Sequence, residues 1–423
     1  MAADATHETI ARVWKEECGR LVAVLTRIVR DVGVAEELAH DAFVAALEAW
    51  PSAGVPDRPG AWLMTTAKNR ALNAVRRARI ADSKHEALGH EIATHVRLED
   101  LEAAFEDVMD GDLRDDMLRL VFTACHPLLS QESRVALTLR LVGGLTTDEI
   151  ARAFLAAEPT VAQRIVRAKR TLADAHVPFE VPRGDDLAVR LASVLEVVYL
   201  IFNEGHVATA GEDVMRPALV DEALRLGDLL ATLAPDEPEV HGLSALMKLQ
   251  ASRTPARTDA RGEPVLLLDQ DRTRWDGALI AGGLAALARA ESHGGAPGPY
   301  RLQAAIAACH ARARIASDTD WPQIAALYAE LARVAPSPVI ELNRAVAVAR
   351  AEGPAAGLAL LDALASEPAL ARYHLLPAAR ADLLEQLGRS DEARLEFERA
   401  ASLTKNVRQQ ERLRFRAAAL QKP

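Results

Sequence analysis

The chain is predicted to be all-α, and three observations predict it. Half of its 423 residues are hydrophobic while only 4% are aromatic, and a large share of Ala, Leu, Val and Arg with regular polar interruption suits helices. Apolar residues recur at three- and four-residue spacing from Ile10 onward, which is the period of an amphipathic helix. Pro and Gly collect between those stretches, as in PSAGVPDRPG and HVPFEVPRGDD, where helices have to stop.

A chain of this length is expected to hold two or three domains. Its first block covers residues 10–80. Leu21, Val24, Leu25, Ile28 and Val29 form one apolar stripe, and Leu38, Ala42, Ala45, Ala46 and Ala49 form another, so two helices should pack as a hairpin. The loop PSAGVPDRPG separates them from a helix starting near Ala61. Residues 81–115 read as an acidic linker with a short helix around Leu98 to Met109. A second helical block follows at 116–176, then the hinge HVPFEVPRGDD, then helical sequence from 187 to 423.

Within the second block, LTTDEIARAF starts a helix with Thr147 and Asp148 ahead of apolar Ile150, breaks at Leu155 to Pro159, and resumes as TVAQRIVRAKRTL. This is a helix-turn-helix pattern. Small or apolar Ile150, Ala151 and Val161 let two helices cross closely, while Arg164, Arg167, Lys169 and Arg170 make the second basic enough for a major groove. Glu158-Pro159-Thr160 suits a helix N-terminus, whose free N–H groups can meet a phosphate.

The net charge of −10 is unusual for a nucleic-acid binder until it is resolved along the chain. Residues 31–50 carry five acidic residues and no Lys or Arg, residues 60–84 carry a balance of +5, and residues 86–116 carry a balance of −9. Such segregation hides a basic segment inside an acidic total.

The apolar stretches are interrupted by charge before the ~20 residues of a membrane span, and MAADATHETIARVWKEE has no signal-peptide core. A cytoplasmic location without membrane contact is expected. Three isolated cysteines, Cys18, Cys125 and Cys309, argue against a disulfide framework or zinc site and read as buried thiols. His85, His90 and His95 lie five apart, which does not stack them on one helical face, so no metal site is expected.

The run DVGVAEELAHDAFVAALEAW followed by RPGAWLMTTAKNRALNAVRRAR resembles region 2 of extracytoplasmic-function sigma factors of the sigma-70 family. LTTDEIARAF with EPTVAQRIVRAKRTL resembles their region 4. YLIFNEGH, LLDQDRTRWD, GPYRLQAAIAACHA and SPVIELNRAVAVA resemble the subgroup with a long C-terminal tetratricopeptide-type domain. In LLEQLGRSDEARLEFERAASL, Leu387-Gly388, Ala393, Phe397 and Ala400 fall where that repeat places small residues and a gap-filling aromatic.

The resemblance implies core RNA polymerase and promoter DNA as partners. Asp31, Glu36, Glu37 and Asp41 would then form an acidic face for the beta prime clamp helices, with the beta flap as a further contact. Trp62, Asn69, Asn73, Arg76 and Arg77 would serve the minus-10 element: Asn reads base edges, Arg neutralises phosphates and an aromatic stacks on an unpaired base. A core role for Trp62 is an equal reading. Thr160, Gln163, Arg164 and Arg167 would face the minus-35 groove, with Lys169 and Arg170 on phosphates. Ala162 departs from the Lys or Arg of many relatives, which weakens that phosphate clamp. The acidic linker would thread the basic cleft of the polymerase, with a flexible solvated tether as an equal reading.

The helical array from 187 to 423 offers a surface for a peptide or protein partner and would regulate activity or dock that partner. Asn203-Glu204-Gly205-His206 and Asp269-Gln270-Asp271-Arg272 with Trp275 either line a pocket or, more commonly, cap helices and pin loops. The chain has no Gly-rich phosphate loop, nucleophile elbow or HExxH motif, so neither an enzyme nor a bound cofactor is expected. An ordinary helix-turn-helix regulator with a tetratricopeptide sensor is the alternative.

Overall fold

The computed structural model describes residues 2–82, 113–154, 156–206, 216–259, 265–404 and 407–420, with the side chains of 2–8, 11, 15, 71–82, 113, 114, 185 and 408 excluded. These residues contain helices and no β-strand. They divide into two compact units, Met1–Leu200 and Ile201–Pro423. The short helix expected at Leu98 to Met109 and the linker histidines lie outside the described residues.

The first unit opens with α1 (Ala2–Val29), α2 (Val32–Ala53) and α3 (Pro59–Asp82). The expected hairpin forms between α1 and α2. Leu21, Val22, Val24, Leu25 and Ile28 are all buried, a wider apolar surface than one stripe, because α1 also packs on α3 and on α4 (Leu113–Ala124). Asp31 caps α2, its Oδ1 accepting from the N–H groups of Gly33 (2.7 Å) and Val34 (2.9 Å). The helix continues through Pro51 to Ala53, so the break is shorter than the Pro/Gly run suggests.

Next come α5 (Gln131–Leu141), α6 (Thr147–Ala153) and α7 (Glu158–Asp174). Thr146 begins α6 with a capping box: its hydroxyl accepts from Glu149 N–H at 3.1 Å, and the Glu149 carboxylate accepts from Thr146 N–H at 2.8 Å. Gly144, with φ of +67°, makes the turn ahead of α6 in a conformation that favours glycine. Val161, Ile165, Ala168 and Leu172 turn α7 inward.

Helix α8 (Asp185–His206) spans the division between units. Its first turns belong to the first unit. Arg190 donates to the Phe122 carbonyl at 2.9 Å, Ser193 to the Cys125 carbonyl at 2.7 Å, and Arg134 of α5 pairs with Glu196 at 3.1 Å.

The second unit continues through α9 (Pro217–Leu233), α10 (Pro238–Ala251), α11 (Gly277–Ser292) and α12 (Pro299–Arg312). It closes with α13 (Trp321–Val334), α14 (Pro338–Glu352), α15 (Pro354–Ala363), α16 (Leu375–Gln386), α17 (Ser390–Leu403) and α18 (Val407–Ala419). Each packs on the next in sequence. Gly388 turns α16 into α17 with φ of +73°, and Ala393, Phe397 and Ala400 are fully buried. Between α10 and α12, the Glu239 carboxylate accepts from the Tyr300 and Arg301 N–H groups at 2.8 and 3.2 Å, satisfying donors that a helix start leaves open.

The three cysteines are buried and unpaired. Burial pushes the Cys18 thiol up to about 12, with Glu36 adding to the shift and Arg140 opposing it. Burial likewise raises Cys125 to about 11, against a hydrogen bond to Thr138 and the nearby Arg134 and Arg190.

Candidate nucleic-acid interface

Helix α7 sorts its residues by face. With Val161, Ile165, Ala168 and Leu172 inward, the residues Thr160, Gln163, Arg167 and Arg170 are exposed and recur at helical spacing on the outside. Arg164 is half-buried. Pro159 occupies the first turn, and no side chain caps the N-terminus, which leaves its N–H groups open to an anion. Arg170 pairs with Asp174 one turn on, at 3.4 Å between exposed side chains, a contact weak enough to give way to a phosphate.

Lys169 lies on a different side. Its ammonium pairs with Glu36 of α2, and Arg140 Nε reaches the other oxygen of the same carboxylate at 2.5 Å. Burial alone would raise the Glu36 carboxyl, but Lys169 and Arg140 outweigh it and hold the group below its ordinary value. Glu36 is 5% exposed, so the structure does not place it on one acidic face with Glu37 and Asp41. Those two are exposed and one turn apart, as the i, i+4 relation requires. Asp31 is taken up by the α2 cap.

Two further contacts tie α1 to later parts of the same unit. Arg27 of α1 pairs with buried Asp116 of α4 at 3.3 Å, and Trp14 Nε1 donates to the Gly144 carbonyl at 2.6 Å. Asp116 is raised, since burial outweighs Arg27 and Arg119, and Asp115 adds to it. Arg140 and Trp14 were not singled out from the sequence. The signal for Arg140 was available: a lone arginine inside the apolar run VALTLRLV has to find a partner when its helix is buried.

On α3, Trp62 is half-buried and meets the fully enclosed Trp50 edge-on, with centroids 5.4 Å apart at 67°. It is therefore anchored on one side and open on the other. Asn69 is exposed, and Arg70 lies 3.7 Å from Asp41. The side chains of Asn73, Arg76 and Arg77 lie outside the described residues.

In the second unit, the polar clusters mostly cap and pin. Arg272 donates to the His310 carbonyl (2.7 Å), the Ala313 carbonyl (2.8 Å) and Thr319 Oγ1 (3.0 Å), while its guanidinium lies 5.0 Å from the Trp275 ring centre. Asp271 accepts from the Thr273 N–H at 2.9 Å, and Glu204 pairs with Arg216. No helix among the described residues is long and apolar enough to cross a membrane.

Comparison with known families agrees with this arrangement. Residues 16–80 match the profile of sigma-70 region 2, residues 119–172 that of sigma-70 region 4, and residues 190–291 a family of unknown function, DUF6596. An uncharacterized protein of Rhizobium meliloti (strain 1021) is 46% identical over 387 residues, which cover 91% of this chain and 90% of that protein. The ECF RNA polymerase sigma factor SigK of Mycobacterium ulcerans (strain Agy99) is 28% identical over 169 residues, 39% of this chain and 84% of its own length. The probable ECF RNA polymerase sigma factor SigI of Mycobacterium tuberculosis (strain CDC 1551 / Oshkosh) is 26% identical over 188 residues, 44% of this chain and 62% of its own. The chain belongs to one family with the Rhizobium meliloti protein, and its first unit carries sigma-70 region 2 and region 4.

Proposed function

We propose that this protein is an extracytoplasmic-function sigma factor that binds core RNA polymerase, directs it to minus-35 and minus-10 elements and helps open the duplex, while the polymerase performs the chemistry. The observation that carries this reading is the presence of region 2 and region 4 in order within one chain, with α7 presenting Thr160, Gln163, Arg167 and Arg170 outward. Those side chains suit a major groove flanked by phosphates. Exposed Glu37 and Asp41 suit a basic helical partner such as the clamp helices of beta prime. Region 4 would also meet the beta flap. Trp62, backed by Trp50, has the rigidity to stack on an unpaired base. Such a factor works in the cytoplasm.

The two promoter elements are centred about 25 steps apart, or ~85 Å of duplex at ~3.4 Å per step. Glu36 and Lys169 are in contact. Reading both elements therefore requires the α2–α7 contact to part, which frees Lys169 for a phosphate and uncovers Glu36. The helices of the second unit, tetratricopeptide-like in their stacking, would regulate this step or dock a protein partner.

The test is promoter-directed transcription with the purified full chain and sigma-free core polymerase on a genomic fragment library. Specific initiation that is lost in the Arg76→Ala, Arg77→Ala double variant is the expected result. Tight binding to closed duplex without polymerase, and no initiation, would instead make the protein an ordinary helix-turn-helix regulator.

A further inference from the structure

The second unit has a partly open cavity of about 200 Å3 among α10, α12, α13 and α14, enough for about seven waters at ~30 Å3 each. Its wall includes Leu249, Ile306, Leu331 and Ile340 on one hand and Arg253, Gln250, Tyr328 and Asn343 on the other. This mixture of an apolar body and a few convergent polar groups is the usual make-up of a small-molecule site.

The charge inside is one-sided. Arg253 follows the end of α10, and among the described residues no carboxylate pairs with it. Burial draws its pKa down to about 10, the neighbouring Arg257 and Arg272 push the same way, and only Tyr328 opposes them. His310, also on the wall, is drawn down to about 4 by burial, Arg253 and Arg272, and its Nδ1 is buried without a hydrogen-bond partner. Arg257 is drawn down to about 10 by burial. Cationic groups are rarely kept in an interior without an anion, because desolvation of a guanidinium is costly unless it is paired. Arg272 discharges its donors on carbonyls and Thr319, but Arg253 faces the cavity.

We infer that this cavity binds a small free carboxylate with an apolar body, its head on the Arg253 guanidinium and its tail against Leu249, Ile306, Leu331 and Ile340. A planar guanidinium matches a carboxylate with two parallel hydrogen bonds. The four apolar side chains favour a hydrocarbon tail over a bare inorganic anion. This site is independent of the DNA-reading surface, so it stands or falls separately from the sigma-factor reading.

Isothermal titration calorimetry of the full chain tests it, with hexanoate as the probe, hexanamide as its uncharged counterpart and inorganic phosphate as the competing anion. Hexanoate should bind at one site per chain, and hexanamide about tenfold or more weaker, the usual size of a charge-assisted contact. Arg253→Gln should abolish the hexanoate signal. Because a core variant can fail to fold, Ala307→Leu provides a second route: it narrows the cavity, keeps the arginine, and should also abolish binding. No hexanoate binding by the wild type, equal binding of hexanamide, an unchanged signal in Ala307→Leu, or phosphate binding in place of hexanoate would overturn the assignment.

Discussion

The Glu36 carboxylate of α2 joins Lys169 of α7 and Arg140 of α5, so one buried side chain of region 2 holds two cations of region 4. Its partners are partly exposed, with side-chain accessibilities of 17% for Arg140 and 21% for Lys169. Neutralising the carboxylate therefore strands two charges that water can partly reach. Glu36→Gln should cost about 2–3 kcal/mol, below the full penalty for breaking a buried pair, read as a lower midpoint in chemical denaturation.

The same group sets a pH dependence. Glu36 is held below its ordinary value of 4.5 when folded, so it stabilises the folded unit above that value, and the contribution is lost as pH falls through the folded pKa. Acid titration of the wild type should show this loss, and Glu36→Gln should show a shallower one.

His206 acts over a higher range. Burial, then Arg257 and Arg253, draws it from 6.5 down to about 2, so below pH 6.5 the unfolded chain takes up a proton that the folded chain refuses. Stability should decline by about 1.4 kcal/mol per pH unit from this residue as pH falls below 6.5. The ring stacks on Phe202 at 5.2 Å. His206→Phe should flatten the slope between pH 6 and 4 if packing is kept, and an unchanged slope would contradict the assignment.

Arg167 and Lys169 separate binding from stability. Arg167 is exposed, whereas Lys169 is engaged by Glu36. Arg167→Ala should leave the melting midpoint within about 0.5 kcal/mol of wild type and lower affinity for a minus-35 duplex by roughly tenfold, about the value of one good base or phosphate contact. Lys169→Ala should lower the midpoint, since it leaves Glu36 with Arg140 alone.

In the second unit, Gly357 sets how closely α14 and α15 approach. A methyl placed on it would come within 2.4 Å of the Ala349 methyl and 2.6 Å of the Ala345 carbonyl oxygen. Gly357→Ala should therefore cost about 1–3 kcal/mol by overpacking, despite the better helix propensity of alanine. A neutral or stabilising result in thermal denaturation would mean that the two helices slide apart cheaply.

Periodicity and punctuation alone determined much of this protein. The inward face of α7, the start of that helix at Glu158, the α1–α2 hairpin and the helices from Trp321 onward follow from local spacing, because a helix buries whatever apolar stripe it carries. The two sigma regions were legible for the same reason, as residue patterns within short segments. What the sequence did not disclose is which charged residue of one helix meets which residue of another distant along the chain. Glu36, Arg140 and Lys169 come together across 104 residues and more, and Arg253, His310 and Tyr328 converge on one cavity from three separate segments of the chain. Period tells a helix which face to bury, but only packing decides which charges that burial brings into contact and which it leaves unmatched.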